Sequence, residues 1–400
     1  MIGKDTKPCG YLINLHVHFL KADKLFNGKE YLQPGQVLVI NDQRELIDIV
    51  SENIIDAGKV EKFKGIITPG FINAHCHTEL SHLKNKISQK TGLPEFGKQI
   101  IFQRTICKKE EIKEHIKAAD KEMWENGITA VGDICNTDDS FENKTESKLF
   151  YHSFIELLSL NPVRANDTFN AGLTLFQQLS NIGLAGSLAP HAPYSTSNEL
   201  IEKISGFNIK RNLPGCIHNQ ESIDEDNFFT GKKNGFNDLF DFLQVDISWF
   251  KPPMMSSLKY YAESLLDQKT ILVHNTFTTK SDIELLKNKD VFWCFCPNAN
   301  LYIEDKLPDL NLFSDQKNKI CIGTDSLASN LQLNLLSEIN ILLKNFPIFN
   351  LANLLPAITS TPADALGISD KFGSFILGKN TGLNLIEDNN NQLKFIKKIV

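Results

Sequence analysis

The chain lacks several things that would direct its reading elsewhere. None of its eight cysteines forms a Cys-x-x-Cys pair, so the usual redox and zinc-ribbon spacings are missing. No apolar stretch runs long enough to span a bilayer. The opening residues, Met1-Ile2-Gly3-Lys4-Asp5-Thr6-Lys7-Pro8, carry no apolar segment of the secretory kind. There is no basic run. Lys and Arg total 42 against 48 Asp and Glu, a net charge of -6, which argues against a nucleic-acid surface. The mixed-sign segment 107–114 reads as a solvated helix face. The expectation is a cytoplasmic protein with no membrane or nucleic-acid partner. Its thiols are reduced, Cys135, Cys216, Cys294 and Cys321 sitting inside apolar runs.

What is present is alternation. At 400 residues the chain is long enough for one α/β barrel and a small accessory domain. From about Pro69 onward, short apolar runs alternate with helix-like stretches, the mark of parallel β/α units. The predicted strands are 70–77, 128–134, 149–158, 184–190, 216–219, 270–274, 291–296 and 320–324. That number closes a (β/α)8 TIM-like barrel, and the runs are continuously apolar, as in strands covered on both faces. Helix starts are read at Thr196-Ser197-Asn198-Glu199 and Ser281-Asp282-Ile283-Glu284, which have capping-box spacing, and at Thr361-Pro362. The two ends differ. Segments 37–42, 47–50, 373–376, 383–386 and 394–396 are strand-like without helices between them. Residues 1–65 and 371–400 are therefore expected to form a small β-sandwich domain beside a barrel spanning 66–370.

Active sites of such barrels gather at the C-terminal strand ends. The first predicted strand ends in His75-Cys76-His77. Side chains at i and i+2 of a strand share a face, so two imidazoles stand side by side, half of a transition-metal site. The fourth strand ends at His191, the fifth at His218-Asn219-Gln220-Glu221, the sixth at His274 and the eighth at Asp325. Five of the ten histidines thus cluster at strand ends with an aspartate and a glutamate. Packing does not explain that pattern.

These stations resemble the amidohydrolase superfamily. The opening metal motif is Pro69-Gly70-Phe71-Ile72-Asn73-Ala74-His75-Cys76-His77. It is followed by Pro190-His191-Ala192-Pro193-Tyr194-Ser195, His218-Asn219-Gln220-Glu221, Leu272-Val273-His274, Cys296-Pro297-Asn298-Ala299-Asn300 and Gly323-Thr324-Asp325-Ser326. Gly373-Ser374-Phe375-Ile376-Leu377-Gly378-Lys379 is similar to the closing motif. The branch is that of the cytosine, guanine, S-adenosylhomocysteine and aminofutalosine deaminases with the triazine chlorohydrolases. The resemblance implies that His75, His77, His218 and Asp325 hold one divalent metal ion, Zn²⁺ or alternatively Fe²⁺. It also implies that Asp325 receives the proton of a metal-activated water, that Glu221 shuttles protons to the substrate, and that His274 hydrogen-bonds the attacking water or oxyanion. His191 and Glu95 are the implied substrate contacts. Arg104 is a candidate carboxylate clamp. Binuclear members carry a carboxylated lysine at the fourth strand. Segment 183–190 has no lysine and is followed by His191, which implies a single ion.

The expected function is hydrolytic deamination of an aminated heterocycle, a purine or purine-nucleoside derivative, with release of ammonia. The alternatives are hydrolysis of another bond on the same site, as by a chlorohydrolase or cyclic amidase, and a non-catalytic scaffold. Oligomeric state is left open, a homodimer being compatible. A second His-x-His, His16-Val17-His18, lacks the Pro-Gly context and reads as solvent-facing. His82 reads as pocket-lining or exposed, and His115 and His152 as structural.

Overall fold

The computed structural model describes residues 16–390 and 392–399. Cys9, the opening residues and the first part of the apolar stretch that leads into His16 lie outside them. The strands are β1 (Val17–Leu25), β2 (Gln36–Asn41), β3 (Leu46–Ser51), β4 (Val60–Pro69), β5 (Phe71–Cys76), β6 (Ile128–Cys135) and β7 (Phe150–Leu157). They continue with β8 (Ala185–Pro190), β9 (Gly215–Asn219), β10 (Thr270–His274), β11 (Val291–Phe295), β12 (Ile320–Ile322), β13 (Leu383–Asn389) and β14 (Gln392–Lys398).

The two ends of the chain meet in one six-stranded sheet of order β14-β13-β4-β1-β2-β3. β13 runs antiparallel to β4, pairing Leu383 with Pro69 and Ile386 with Ile66. Leu20 of β1, Leu38 of β2, Leu46 of β3, Ile67 of β4 and Leu385 of β13 pack together on one side. Residues 373–376 are not a strand. Phe375 N–H donates instead to Asn27 O at 3.0 Å, which ties the segment to the turn after β1. His16 and His18 are both exposed, as expected.

The eight central strands form two parallel four-stranded sheets, β5-β6-β7-β8 and β12-β11-β10-β9. Backbone hydrogen bonds join their edges: His218 N–H to His191 O at 2.9 Å, and Thr324 N–H to His75 O at 3.1 Å. Each of the eight strands contributes to one apolar cluster, through Ile72, Ala130, Phe154, Ala189, Cys216, Ile271, Phe292 and Cys321 among others. Residues between these positions face outward. Ile155 and Leu157 of β7 pack with Ala165 and Leu179 of the helix Ala165–Asn181. Strand alternation therefore fixes which strand-end side chains point inward. They are Asn136 just past β6, Glu156 on β7, His191 just past β8 and His218 on β9.

Helix starts shift slightly from expectation. The helix Asn198–Ile209 is capped by Ser197, whose side chain accepts from Leu200 N–H, because the Thr196 hydroxyl is spent on Leu157 O. The capping box of Lys280–Leu285 is Thr279 with Asp282, and Ser281 bonds the Thr279 hydroxyl. The helix Ser360–Ala365 begins one residue before Thr361. No helix among the described residues is long and apolar enough to cross a membrane.

Candidate metal centre and active site

His75 and His77 leave the end of β5 on one side, and Cys76 packs away from them in the apolar cluster that holds Phe71 and Val131. His77 Nε2 lies 3.0 Å from His75 Nε2 and 3.2 Å from His218 Nε2. Asp325 Oδ1 lies 3.6 Å from His75 Nε2 and 3.4 Å from His77 Nε2. A tetrahedral ion with bonds of about 2.1 Å sets its ligand atoms about 3.4 Å apart, and these four separations lie close to that value.

The protonation pattern fits as well. His218 Nδ1 donates to His191 O at 2.8 Å, which leaves a bare lone pair on Nε2. Burial first, then neighbouring imidazoles, hold His75 and His77 well below the ordinary histidine value, so both are neutral. Lone pairs converging at 3 Å repel one another unless a cation lies between them. Asp325 is pushed up by burial, but His77, His274 and the Ser329 hydroxyl outweigh that and hold it ionised. Ser329 donates to its Oδ2 at 2.5 Å.

Two supports hold this cluster. A Cβ added to Gly323 would sit 2.8 Å from both His75 Cβ and His75 O. Gly323→Ala is expected to push β12 from β5, costing about 1–3 kcal/mol and weakening metal retention; denaturant midpoint and metal content check both. The second support is Asp133, which faces outward from β6. It takes Thr78 N–H at 2.8 Å and the Thr78 hydroxyl at 2.7 Å, fixing the turn directly after His77. Fully buried Lys144 neutralises it at 2.7 Å. Lys144→Met strands a buried carboxylate and is expected to cost about 3–5 kcal/mol in a urea titration.

Glu221 and His274 complete the floor. His274 Nε2 lies 3.5 Å from Glu221 Oε1. Leu272, two residues earlier, packs outward, and the left-handed backbone at His274 (φ 76°) and Asn275 (φ 56°) breaks the alternation. Asp325 (φ 56°) and Gln220 (φ 45°) sit in the same strained region. Such conformations persist only where surrounding structure enforces them. Here Glu225 does so by accepting from Gln220 and Glu221 N–H. Burial first, then the charges of Asp325, Glu225 and Glu304, push the Glu221 carboxyl well up. A carboxyl shifted in this direction suits a general acid.

Above these groups lies a cavity of about 250 Å³. Its walls are apolar: Leu80, Phe96, Ile100, Phe236, Leu239 and Phe240. His191 lines it, its Nδ1 against Ser195 Oγ at 2.6 Å. Arg104 lines it too, near Asn136 Oδ1 at 3.5 Å and Glu79 Oε2 at 3.8 Å.

Glu95 does not reach the cavity. It lies on the helix Leu93–Ile106, whose Leu93, Phe96, Gly97, Ile100 and Arg104 form the cavity-facing stripe. At about 100° per residue, Glu95 falls off that stripe. Its side chain is 50% exposed and pairs with Lys98 at 3.8 Å. His82 departs from expectation in a different way, being buried without lining the cavity. His152 is structural as expected, bonded to Ser187.

The sequence reading missed Glu156 and Asn136, which also line the cavity. The signal was available: Glu156 is a lone carboxylate in the otherwise apolar run Phe154-Ile155-Glu156-Leu157, at the C-terminal end of its strand.

Known proteins resemble this chain in sequence and in fold. A protein named adenosine deaminase from Helicobacter pylori is 25% identical over 370 residues, spanning 86% of this chain and 88% of that protein. A 5'-deoxyadenosine deaminase from Methanococcus maripaludis is 24% identical over 372 residues, spanning 91% and 82%. The solved structure of Helicobacter pylori aminofutalosine deaminase in complex with methylthio-coformycin aligns with a TM-score of 0.81 at 21% identity, covering 96% of this chain and all of that one. Residues 66–399 match the model of the amidohydrolase family, and the chain belongs to that family.

Proposed function

We infer that this chain is a hydrolytic deaminase that replaces the exocyclic amine of a purine-nucleoside derivative with oxygen and releases ammonia. The observation that carries the reading is the convergence of three imidazole nitrogens and one carboxylate oxygen beside a buried glutamate, all opening into one apolar cavity. The relatives named as adenosine and 5'-deoxyadenosine deaminases support the substrate class.

His75, His77, His218 and Asp325 would hold one divalent ion, with zinc favoured by the donor set. When bound, the ion supplies Lewis-acid polarisation and brings the pKa of a coordinated water toward neutrality. The chain's own groups do the rest. Glu221 delivers its proton to the ring nitrogen beside the amidine-like carbon. Asp325 takes up the proton lost by the attacking water. His274 Nε2 donates to the oxygen as charge develops there, its ring oriented by Asn300 at 3.5 Å from Nδ1. Asp325 then passes its proton to the leaving nitrogen, and Glu221 takes up the proton of the new hydroxyl as the carbonyl forms, so one ammonia leaves and both carboxyls regain their starting states. The apolar walls take the flat base and keep bulk water away from the leaving group.

The two sheet-edge seams and the shared apolar interior support a closed (β/α)8 barrel over 66–370, and the single six-stranded sheet shared by both chain ends supports a small β domain beside it, in place of the expected sandwich. A cytoplasmic setting goes with a diffusible nucleoside substrate.

The test is a coupled ammonia assay on the zinc-loaded chain. Adenosine-type nucleosides are expected to release ammonia. Silence on all of them, with turnover of a chlorinated triazine or a cyclic amide, would overturn the reading.

A further inference from the structure

The cavity is lined by three carboxylates among the described residues: Asp325, Glu221 and Glu156. The first two have roles in the chemistry, and Glu156 has none. It faces inward from the end of β7, its side chain only 4% exposed. Its Oε2 accepts from Asn136 Nδ2 at 2.9 Å. Its Oε1 has no hydrogen-bond partner. His218 Nδ1 stands 3.5 Å from it, and that N–H is committed to His191 O at 2.8 Å. A buried carboxylate oxygen left this way is costly unless a ligand supplies a donor.

An aminated purine nucleoside offers few donors. Its ring nitrogens are acceptors, and one of them faces Glu221. Its exocyclic amine is the leaving group and must lie over the metal ligands. The nitrogen that carries a proton in a free base is bonded to the sugar. The remaining donors are the sugar hydroxyls.

We propose that Glu156, held by Asn136, is the residue that accepts a hydrogen bond from a sugar hydroxyl of the substrate and so selects ribonucleosides over deoxynucleosides and free bases. The assignment rests on the deaminase reading above. It gives the site a specificity contact from the end of β7 in place of the one expected from Glu95.

The experiment measures kcat and KM for ammonia release from adenosine, 2'-deoxyadenosine, 3'-deoxyadenosine and adenine, with the original chain and with Glu156→Gln. A hydrogen bond to a charged acceptor is worth about ten- to a hundredfold in affinity. The original chain should lose that factor in kcat/KM, through KM, on one of the two deoxynucleosides. Glu156→Gln should lose the same factor on adenosine and then treat that deoxynucleoside and adenosine alike, with zinc content unchanged. Glu156→Asp, which withdraws the charge from the cavity, should behave as the glutamine variant does. If Glu156→Gln keeps the full preference for the ribonucleoside, or loses equally on all four compounds, the proposal fails while the deaminase reading stands. If the original chain releases no ammonia from any of the four, both fail together.

Discussion

Replacing Glu221 by glutamine is expected to slow ammonia release by about 10²–10⁴-fold, the usual contribution of a positioned general acid, while zinc content stays at that of the original chain. The reasoning is local. Glu221 is not one of the four ligands, and its backbone N–H is held by Glu225. Burial pushes the carboxyl well up and glutamine has nearly its shape, so the variant should fold with little loss. What it cannot do is give up a proton to the ring nitrogen and take one back. The measurements are turnover under saturating substrate and metal analysis of the same sample. A variant with full turnover would remove Glu221 from the mechanism.

The second large effect is expected at the ligands. His218→Ala removes the Nε2 that stands 3.2 Å from His77 Nε2. Asp325→Asn replaces the anionic oxygen that faces both β5 histidines. Changing a residue that merely orients a ligand typically costs 10–100-fold in metal affinity. Removing the ligand itself should cost more than about 100-fold. Both variants should be purified with far less than one ion per chain and with ammonia release at background. Asp325→Asn keeps a side-chain oxygen that can accept from Ser329, so its fold should survive and its melting curve should resemble that of the metal-free original. Near-stoichiometric metal in either variant would mean that the ion sits elsewhere, for instance on the neighbouring group of Glu156, His191 and His218, whose ligand atoms also cluster.

Much of this site was legible in the sequence because parallel strands turn chain position into geometry. A histidine, glutamate or aspartate at the end of an apolar run must emerge at the same rim as its counterparts, and His75, His77, His218 and Asp325 do. His274 reached the site by another route, through a left-handed backbone that no propensity announces. Glu95 was misplaced because helix phase, not proximity in sequence, decides which side of a covering helix meets the cavity. Glu156 was passed over because its run was read as a buried strand, although a carboxylate inside such a run is the anomaly that marks a site. In the end sheet, β4 was not anticipated. Its first half is largely exposed and Lys-rich, and its apolar half runs almost directly into β5, with Gly70 alone between them.

The central claim is one metal ion per chain, held by those four residues, driving deamination. The most direct test titrates the metal-free chain with zinc and follows ammonia release from adenosine or 5'-deoxyadenosine. The account predicts no release without metal and a rise that levels off at one equivalent. Release by the metal-free chain, or a plateau reached only at two equivalents, would contradict it.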